Sequence, residues 1–405
     1  MKFFYSVGYY TLGNIIVSGA GFALIPFMTR LLNVNDLGLV YLFQSIMVLF
    51  SALIALGGQS VIQSLYHKEL NRIPLYIGGS LFNSFLMLIV VSVISITFGK
   101  EVFEGLGFDV VYVQIAILLA FLLFIQSMAH TLLQIREEAK TYFFMVSFSS
   151  VVGFFVTIVL LIYFYQTWQV RIIGISSALL VSSIFSIFVI YRIGVAIPGR
   201  VDVKKLLSIG HPVVVHSFAM LFINQTDKFL LAHLKTATDV GEYGVVAQLA
   251  SVVYLFGSTL SMAYTPIFYK NIDSKDKRLY IVKIRRYCMI GSSIFGGLVL
   301  MLIINFNNLI VGREFNFHNQ PFVILILSYI VFSWYFLYVG YFYHFKNTKL
   351  LAILTSSIAV LNIITSYLLI PEYGLTGAAI GTLFSYIIGL FVAMLFAKYK
   401  TKSII

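Results

Sequence analysis

Long apolar runs separated by short polar stretches are the feature that most limits how this chain can fold. Hydrophobic residues make up 60% of the sequence and charged residues only 10%, whereas soluble domains carry about 25% charged residues. A helix needs roughly 20 apolar residues to cross a bilayer core. The sequence therefore predicts an all-α polytopic membrane protein with 12 transmembrane helices. The predicted spans lie near residues 5–29, 38–58, 75–98, 110–134, 142–164, 171–191, 210–232, 243–264, 287–304, 320–343, 349–370 and 375–397.

Lysine and arginine residues are distributed unequally between the two sides of this predicted topology. With the N-terminus in the cytoplasm, 21 of the 27 Lys and Arg residues fall in cytoplasmic segments, 5 in outer segments and one, Lys228, in the membrane. Cytoplasmic loops of membrane proteins carry such an excess. The pattern predicts that both termini are cytoplasmic. It also accounts for the net charge of +12 without a nucleic-acid partner, which we do not expect.

The two halves of the sequence repeat each other. A shift of 203 residues places residues 29–41 on 232–244 and residues 173–183 on 376–386. Since each half holds six predicted helices and starts on the same side, the halves are expected to be parallel repeats. We predict an N-terminal six-helix bundle over 1–200 and a C-terminal one over 201–405, with a linker at about 192–209. Two such bundles around a central cleft are the geometry of an alternating-access transporter.

Short loops and missing motifs argue against a catalytic role. We find no nucleotide-binding G-x-x-x-x-G-K-[ST], no metalloprotease H-E-x-x-H and no G-x-S-x-G. The single cysteine, Cys288, excludes an intramolecular disulfide and a metal site built on several cysteines. We therefore predict neither catalytic residues nor a metal or cofactor.

Two adjacent charges occur in the otherwise apolar stretch FINQTDKFLL (222–231). An ionisable residue in the membrane is costly and usually faces a cavity or a partner. Asp227 and Lys228 point in different directions on a helix, while Asn224 shares the face of Asp227. One interpretation is that Lys228 contacts a diphosphate or sugar and that Asp227 is its counter-charge or a cation site. The other is that Lys228, one turn from the helix end, extends to the lipid headgroups.

Three further residues are candidates for substrate binding. Arg30 ends the first helix, four residues after Pro26, and could be an outer gate or an anchor at the membrane boundary. Arginine matches phosphate oxygens better than lysine does. Gln126 and His130 are spaced i, i+4 on the fourth helix and could line a cleft. A buried, hydrogen-bonded histidine is the alternative for His130.

Three stretches resemble one transporter family: IPFMTRLLNVNDLGLVYLFQSI (25–46), DKFLLAHLKTATDVGEYGVVAQL (227–249) and PEYGLTGAAIGTLFSYIIGL (371–390). They are similar to the opening, the start of the second half and the last helix of Wzx-type O-antigen and polysaccharide flippases. These flippases belong to the multidrug/oligosaccharidyl-lipid/polysaccharide exporter superfamily.

The resemblance implies a flippase of the inner (cytoplasmic) membrane. Its cargo would be an oligosaccharide repeat unit on undecaprenyl diphosphate, moved from the cytoplasmic to the periplasmic leaflet. Membrane lipids, a polysaccharide polymerase and a chain-length regulator are the further partners that it implies. A cation-coupled multidrug or small-molecule exporter of the same superfamily is the alternative. That alternative is weakened because Asp227 is the only acidic residue placed in mid-membrane.

Overall fold

The computed structural model describes the backbone of residues 2–274, 277–312 and 315–402. Within these ranges, some side chains are not described: those of residues 2–7, 200–201, 209, 211–217, 220, 278, 348 and 401–402. The chain forms two compact units, Met1–Phe218 and Ala219–Ile405. Each unit is considered by itself below.

The first unit contains eight α-helices and the beginning of a ninth. They are α1 (Lys2–Leu31), α2 (Val34–Ala55), α3 (Gly58–Leu65), α4 (Ile73–Thr97), α5 (Lys100–Gly105), α6 (Val110–Ile135), α7 (Ala139–Tyr163), α8 (Trp168–Ile193) and α9 (Arg200–Leu234). Helix α7 packs against both α1 and α8, and α6 packs against α2, α4 and α8. Gly174 lets α8 approach α7 closely, because a side chain there would collide with Thr157.

The second unit contains the C-terminal part of α9, from Ala219 to Leu234, and four more helices. These are α10 (Ala237–Asn271), α11 (Arg278–Ile310), α12 (Asn319–His344) and α13 (Thr348–Lys402). Helix α12 packs on α13 largely through stacked aromatic rings: the Phe332 and Tyr386 centroids are 4.2 Å apart, and those of Phe342 and Phe396 are 4.1 Å apart. Helix α13 is broken at Gly374, whose φ of 54° and ψ of −129° are not helical.

The lengths and compositions of the helices confirm the predicted all-α polytopic fold. In the part of the chain that was described, 10 helices are long and apolar enough to cross a membrane. One of them, Lys349–Lys400, is 52 residues long and contains both of the last two predicted spans, on either side of the break at Gly374. The seventh predicted span lies in α9, where many side chains fall outside the described residues. The count of 12 remains a prediction.

The starts of α2 and α10 reproduce the internal repeat. Helix α2 begins at Val34 and α10 at Ala237, a separation equal to the 203-residue shift found in the sequence. Asn33 caps α2 by accepting a hydrogen bond from the backbone N–H of Asp36. Its repeat counterpart, Thr236, caps α10 with Asp239 in a reciprocal capping box. The two helices therefore start at equivalent positions and by the same physical means.

The segment between α8 and α9 is attached to α4. Residues 194–199 are not helical, and the Ala196 N–H donates a hydrogen bond of 3.0 Å to the Pro74 carbonyl oxygen. Two ion pairs hold the first turns of α9, Lys205 with Glu69 and Arg72 with Asp202, the latter at 3.8 Å. The predicted linker, 192–209, thus comprises the end of α8, a short extended segment and the beginning of α9.

Candidate functional site

A buried carboxylate is the centre of the polar cluster in the second unit. Asp227 lies on α9 and is only 6% exposed. Its Oδ2 accepts hydrogen bonds from the Tyr243 hydroxyl of α10 at 2.6 Å and the Thr382 hydroxyl of α13 at 2.8 Å. Asn362, on the other arm of α13, donates from Nδ2 to Thr382 Oγ1 at 3.2 Å. We call Asp227, Tyr243, Asn362 and Thr382 the Asp227 cluster.

The hydrogen bonds of the Asp227 cluster are incomplete. Asp227 Oδ1 and Asn362 Oδ1 are buried and have no hydrogen-bond partner among the described residues. Each such atom costs several kcal/mol in a hydrocarbon environment, so its persistence calls for an explanation. Both atoms are acceptors only. The cluster can therefore accept a hydrogen bond from a sugar hydroxyl, or bind a proton or a cation.

The internal repeat shows that the fold itself does not require this cluster. The 203-residue shift places Asp227 on Leu24 and Thr382 on Leu179. Both leucines are buried in the first unit, at 2% and 7% exposure. Leucine thus fills the positions of the first unit that the 203-residue shift makes equivalent. Apolar packing alone therefore does not account for Asp227 and Thr382.

Arg171 is the corresponding buried polar group of the first unit. Its Nη1 donates to the Thr157 hydroxyl at 3.1 Å, and its Nε is buried without a partner among the described residues. It lines a cavity of about 210 Å³ between α1, α2, α7 and α8, together with Leu24, Phe154 and Leu179. A guanidinium group with an unused donor is suited to bind the oxygens of a phosphate or carboxylate.

His130 and Gln126 lie on α6 of the first unit, both half-buried. The His130 ring makes an edge contact with the Tyr142 ring of α7 at 4.9 Å, and its Nε2 is buried without a partner among the described residues. The Tyr142 hydroxyl in turn donates to Asn14 Oδ1 of α1 at 3.0 Å. His130 therefore belongs to a polar and aromatic contact that joins three helices.

The other predicted site residues are more exposed than Asp227. Arg30 is exposed at the end of α1, and its Nη1 donates to the Pro26 carbonyl oxygen at 2.8 Å. Lys228 is half-buried and donates to Gln225 Oε1 at 3.0 Å. Asn224 is exposed on α9. Of the predicted residues, Asp227 is the one whose surroundings are most clearly those of a site.

Four residues of these sites were not predicted from the sequence. Tyr243, Thr382 and Asn362 lie in apolar helices, where hydroxyl and amide side chains are common and carry little signal on their own. The repeat offered one clue, because Thr382 stands where the first half has a leucine. The predicted span 171–191 places Arg171 at its outer boundary, whereas α8 begins one turn earlier, at Trp168.

Comparison with known proteins identifies relatives over most of the chain. Residues 4–272 match the family described as "Polysaccharide biosynthesis protein". The Lsg locus putative protein 1 of Haemophilus influenzae is 24% identical over 403 residues, which cover 93% of this chain and 96% of that protein.

Solved structures with a similar fold are membrane transporters. The lipid II flippase MurJ, in an inward-closed conformation, superposes with a TM-score of 0.70 and 15% identity, over 98% of this chain and 87% of that one. A Vibrio cholerae MATE transporter gives a TM-score of 0.65 and 14% identity, over 99% of this chain and 97% of that one. At this identity the likeness concerns the fold. The family match confirms the resemblance noted in the sequence, and the chain belongs to the polysaccharide biosynthesis protein family.

Proposed function

We propose that the protein is a flippase for an oligosaccharide repeat unit linked to undecaprenyl diphosphate. It would move the sugar headgroup from the cytoplasmic to the periplasmic leaflet by alternating access, while the lipid tail stays in the bilayer. The family and the transporter fold support a flippase or an exporter of this kind. The identity of the cargo and the direction of movement go beyond what the family and the fold support.

The observation that carries the proposal is the set of buried polar atoms with unused hydrogen-bonding capacity. Asp227 Oδ1 and Asn362 Oδ1 are acceptors in the second unit, and Arg171 Nε is a donor in the first. Such groups are expensive in a membrane unless a cargo or water reaches them.

A lipid-linked oligosaccharide has the complementary groups. Its sugar hydroxyls can donate to the two buried oxygens of the Asp227 cluster. Considered separately, Arg171 of the first unit is suited to bind diphosphate oxygens. Such contacts would replace the hydration that the headgroup loses on leaving water. In this proposal Arg30, Lys228, Asn224, Gln126 and His130 remain candidates for further cargo contacts.

The test is a transport assay with purified protein in liposomes. The liposomes contain an undecaprenyl-diphosphate-linked oligosaccharide whose sugar carries a fluorophore, and an impermeant quencher is added outside. The protein should increase the fraction of label that is quenched, relative to protein-free liposomes. Folded protein that leaves this fraction unchanged for several lipid-linked oligosaccharides would contradict the proposal.

A cation-coupled exporter of small molecules is the second candidate. It is favoured by the buried carboxylate of Asp227 and by the similarity in fold to MATE transporters. This function predicts binding of labelled cationic drugs that Asp227→Asn abolishes. Drug binding without any movement of lipid-linked sugar would favour the exporter over the flippase.

The cellular setting is proposed on the same grounds. The excess of Lys and Arg in alternate segments supports cytoplasmic termini and insertion in the inner membrane. A polymerase that consumes the flipped unit, and a regulator of chain length, would be the protein partners. Consumption of the product would draw the movement in one direction.

A further inference from the structure

The first unit has a groove whose lining includes none of the buried polar groups described above. It lies between α4 and the segment that leads into α9, and its volume is about 780 Å³. Sites that hold drug-sized ligands measure about 300–1,000 Å³. Its walls are apolar, formed by Phe82, Ile197, Pro198, Val203 and Leu207, and its polar residues are Lys204 and Ser208.

The walls of this groove are held in place by the rest of the unit. Leu206, on the opposite side of α9 from the groove, is buried against Gly79 of α4. The ion pair of Lys205 with Glu69 and the hydrogen bond from Ala196 to Pro74 fix the two ends of the segment. The groove is thus part of the packed unit rather than a gap beside a loose loop.

Phe82 lies about as far along α4 as one leaflet of a bilayer core is thick. Phe82 is nine residues beyond the start of α4 at Ile73, which corresponds to about 13 Å along the helix. Half of a hydrocarbon core is about 15 Å thick. Lys204 is near the level where α4 begins, because the adjacent Lys205 is bonded to Glu69 just before that helix. The groove therefore combines the cation Lys204 with apolar side chains that include Phe82, further along α4.

The groove is also open to the bilayer and its charge is available. Ile197 is 93% exposed and Phe82 52%. Lys204 is exposed and makes no ion pair with the described residues, whereas its neighbour Lys205 is engaged by Glu69. Lysine side chains at this height attract anionic lipid headgroups. An acyl chain would cover the exposed apolar walls while the headgroup meets the ammonium.

We propose that this groove is a binding site for an anionic phospholipid of the surrounding leaflet, which we place on the cytoplasmic side. One acyl chain lies between Phe82 and Leu207, and the headgroup phosphate accepts a hydrogen bond from Lys204 Nζ. The lipid would secure the segment that joins the two halves.

Native mass spectrometry of the purified full-length protein tests this site. The protein is released from nanodiscs that contain equal amounts of phosphatidylglycerol and phosphatidylcholine. Phosphatidylglycerol should remain bound preferentially. Lys204→Gln should weaken its binding about fivefold, the fold-change that corresponds to about 1 kcal/mol. The matched control is Lys68→Gln, an exposed lysine on the same predicted side.

A second variant tests the acyl-chain part of the groove. Leu207→Asn changes a side chain that is 43% exposed, so the fold should be retained while binding of both phospholipids falls. Three results would overturn the proposal: equal retention of the two lipids, equal effects of Lys204→Gln and Lys68→Gln, or stronger binding of undecaprenyl phosphate than of phosphatidylglycerol. This assay does not involve transport, so its outcome is separate from that of the proposed flippase function.

Discussion

At the scale of single residues, Asp227 is the group whose position is hardest to explain by stability. Its carboxylate is removed from water, and the two hydroxyl groups that it engages leave one oxygen without a partner among the described residues. A membrane-embedded acid is costly on every scale of insertion energies. Leu24 occupies the equivalent position in the first half. The acid therefore opposes stability and has to be retained by what it binds.

Replacing Asp227 by asparagine should lower transport much more than stability. The amide oxygen can still accept from Tyr243 and Thr382, so protein level and thermal unfolding midpoint should change little. Transport should fall about tenfold or more, because a hydrogen bond to a charged group contributes about 1.5–3 kcal/mol. The liposome assay measures it. Asp273→Asn is the control, since that carboxylate is 79% exposed in the same unit; an equal effect of both variants would contradict the assignment.

Arg171 gives the matching prediction for the first unit. Arg171→Gln should reduce transport of a diphosphate-linked cargo about tenfold, and Arg171→Lys should retain part of it because the charge remains while the planar fork is lost. Arg192→Gln is a control on the same helix, at its other end, where Glu138 keeps Arg136 as a partner. Transport that is as low in the control as in Arg171→Gln would indicate damage to α8.

At the scale of helices, the caps of α2 and α10 differ in strength. Asn33→Ala removes one hydrogen bond and should cost about 1 kcal/mol of stability. Thr236→Ala removes two hydrogen bonds of the Thr236 hydroxyl, one accepted from the Asp239 N–H at 3.2 Å and one donated to Asp239 Oδ2. The bond from the Thr236 N–H to Asp239 Oδ2, at 3.1 Å, would remain. The substitution should cost up to about 2 kcal/mol. Thermal unfolding in detergent measures both. Thr238→Ala, an exposed residue of the same turn, should have no comparable effect.

The attachment of α9 to α4 should weaken in acid. The hydrogen bond from Lys205 holds the pKa of Glu69 below its ordinary value of 4.5, with help from Tyr76. Because the pKa of Glu69 is lowered in the folded protein, its ionised carboxylate stabilises the attachment above about pH 4.5. This stabilisation is lost as the pH falls through the lowered pKa. The protection factors of the amides of residues 203–207, which correct for the intrinsic pH dependence of exchange, should therefore fall in that acidic range.

A variant and the opposite end of the pH scale test the same ion pair. Glu69→Gln should lower these protection factors at neutral pH and remove their dependence on acid. The pKa of Lys205 is raised by its hydrogen bond to Glu69, so the ammonium stays charged up to at least its ordinary value of 10.5. Protection factors that do not change with pH in the wild-type protein would exclude this role for Glu69.

The sequence predicted helices well where polar caps flank apolar runs. The predicted start of the fourth span, at 110, coincides with the start of α6, because Asp109 accepts a hydrogen bond from the Val111 N–H. The sequence was less informative about the beginning of α9. There, charged residues indicated a linker, yet charges on the surface of a helix do not end it. The partners of Asp227 could not be predicted, because Thr382 is 155 residues away and a threonine in an apolar helix is ordinary.

At the scale of the whole molecule, the predicted topology can be tested with single cysteines. In a Cys288→Ser background, Lys68→Cys is predicted to be cytoplasmic and Lys100→Cys to face outward. Both lysines are exposed in the structure. An impermeant maleimide added to intact cells should label only the second variant, and both should react after the membrane is opened. Labelling of Lys68→Cys alone would reverse the proposed orientation.

The matched starts of α2 and α10 have a consequence for how such a protein can be made. A symmetric dimer of the first half alone would present Leu24 twice, and would therefore have the scaffold without the mid-helix carboxylate. Joining both copies in one polypeptide allows one of them to specialise while the other stays apolar at the same place. Replacing the second half by a copy of the first should therefore preserve folding and abolish transport.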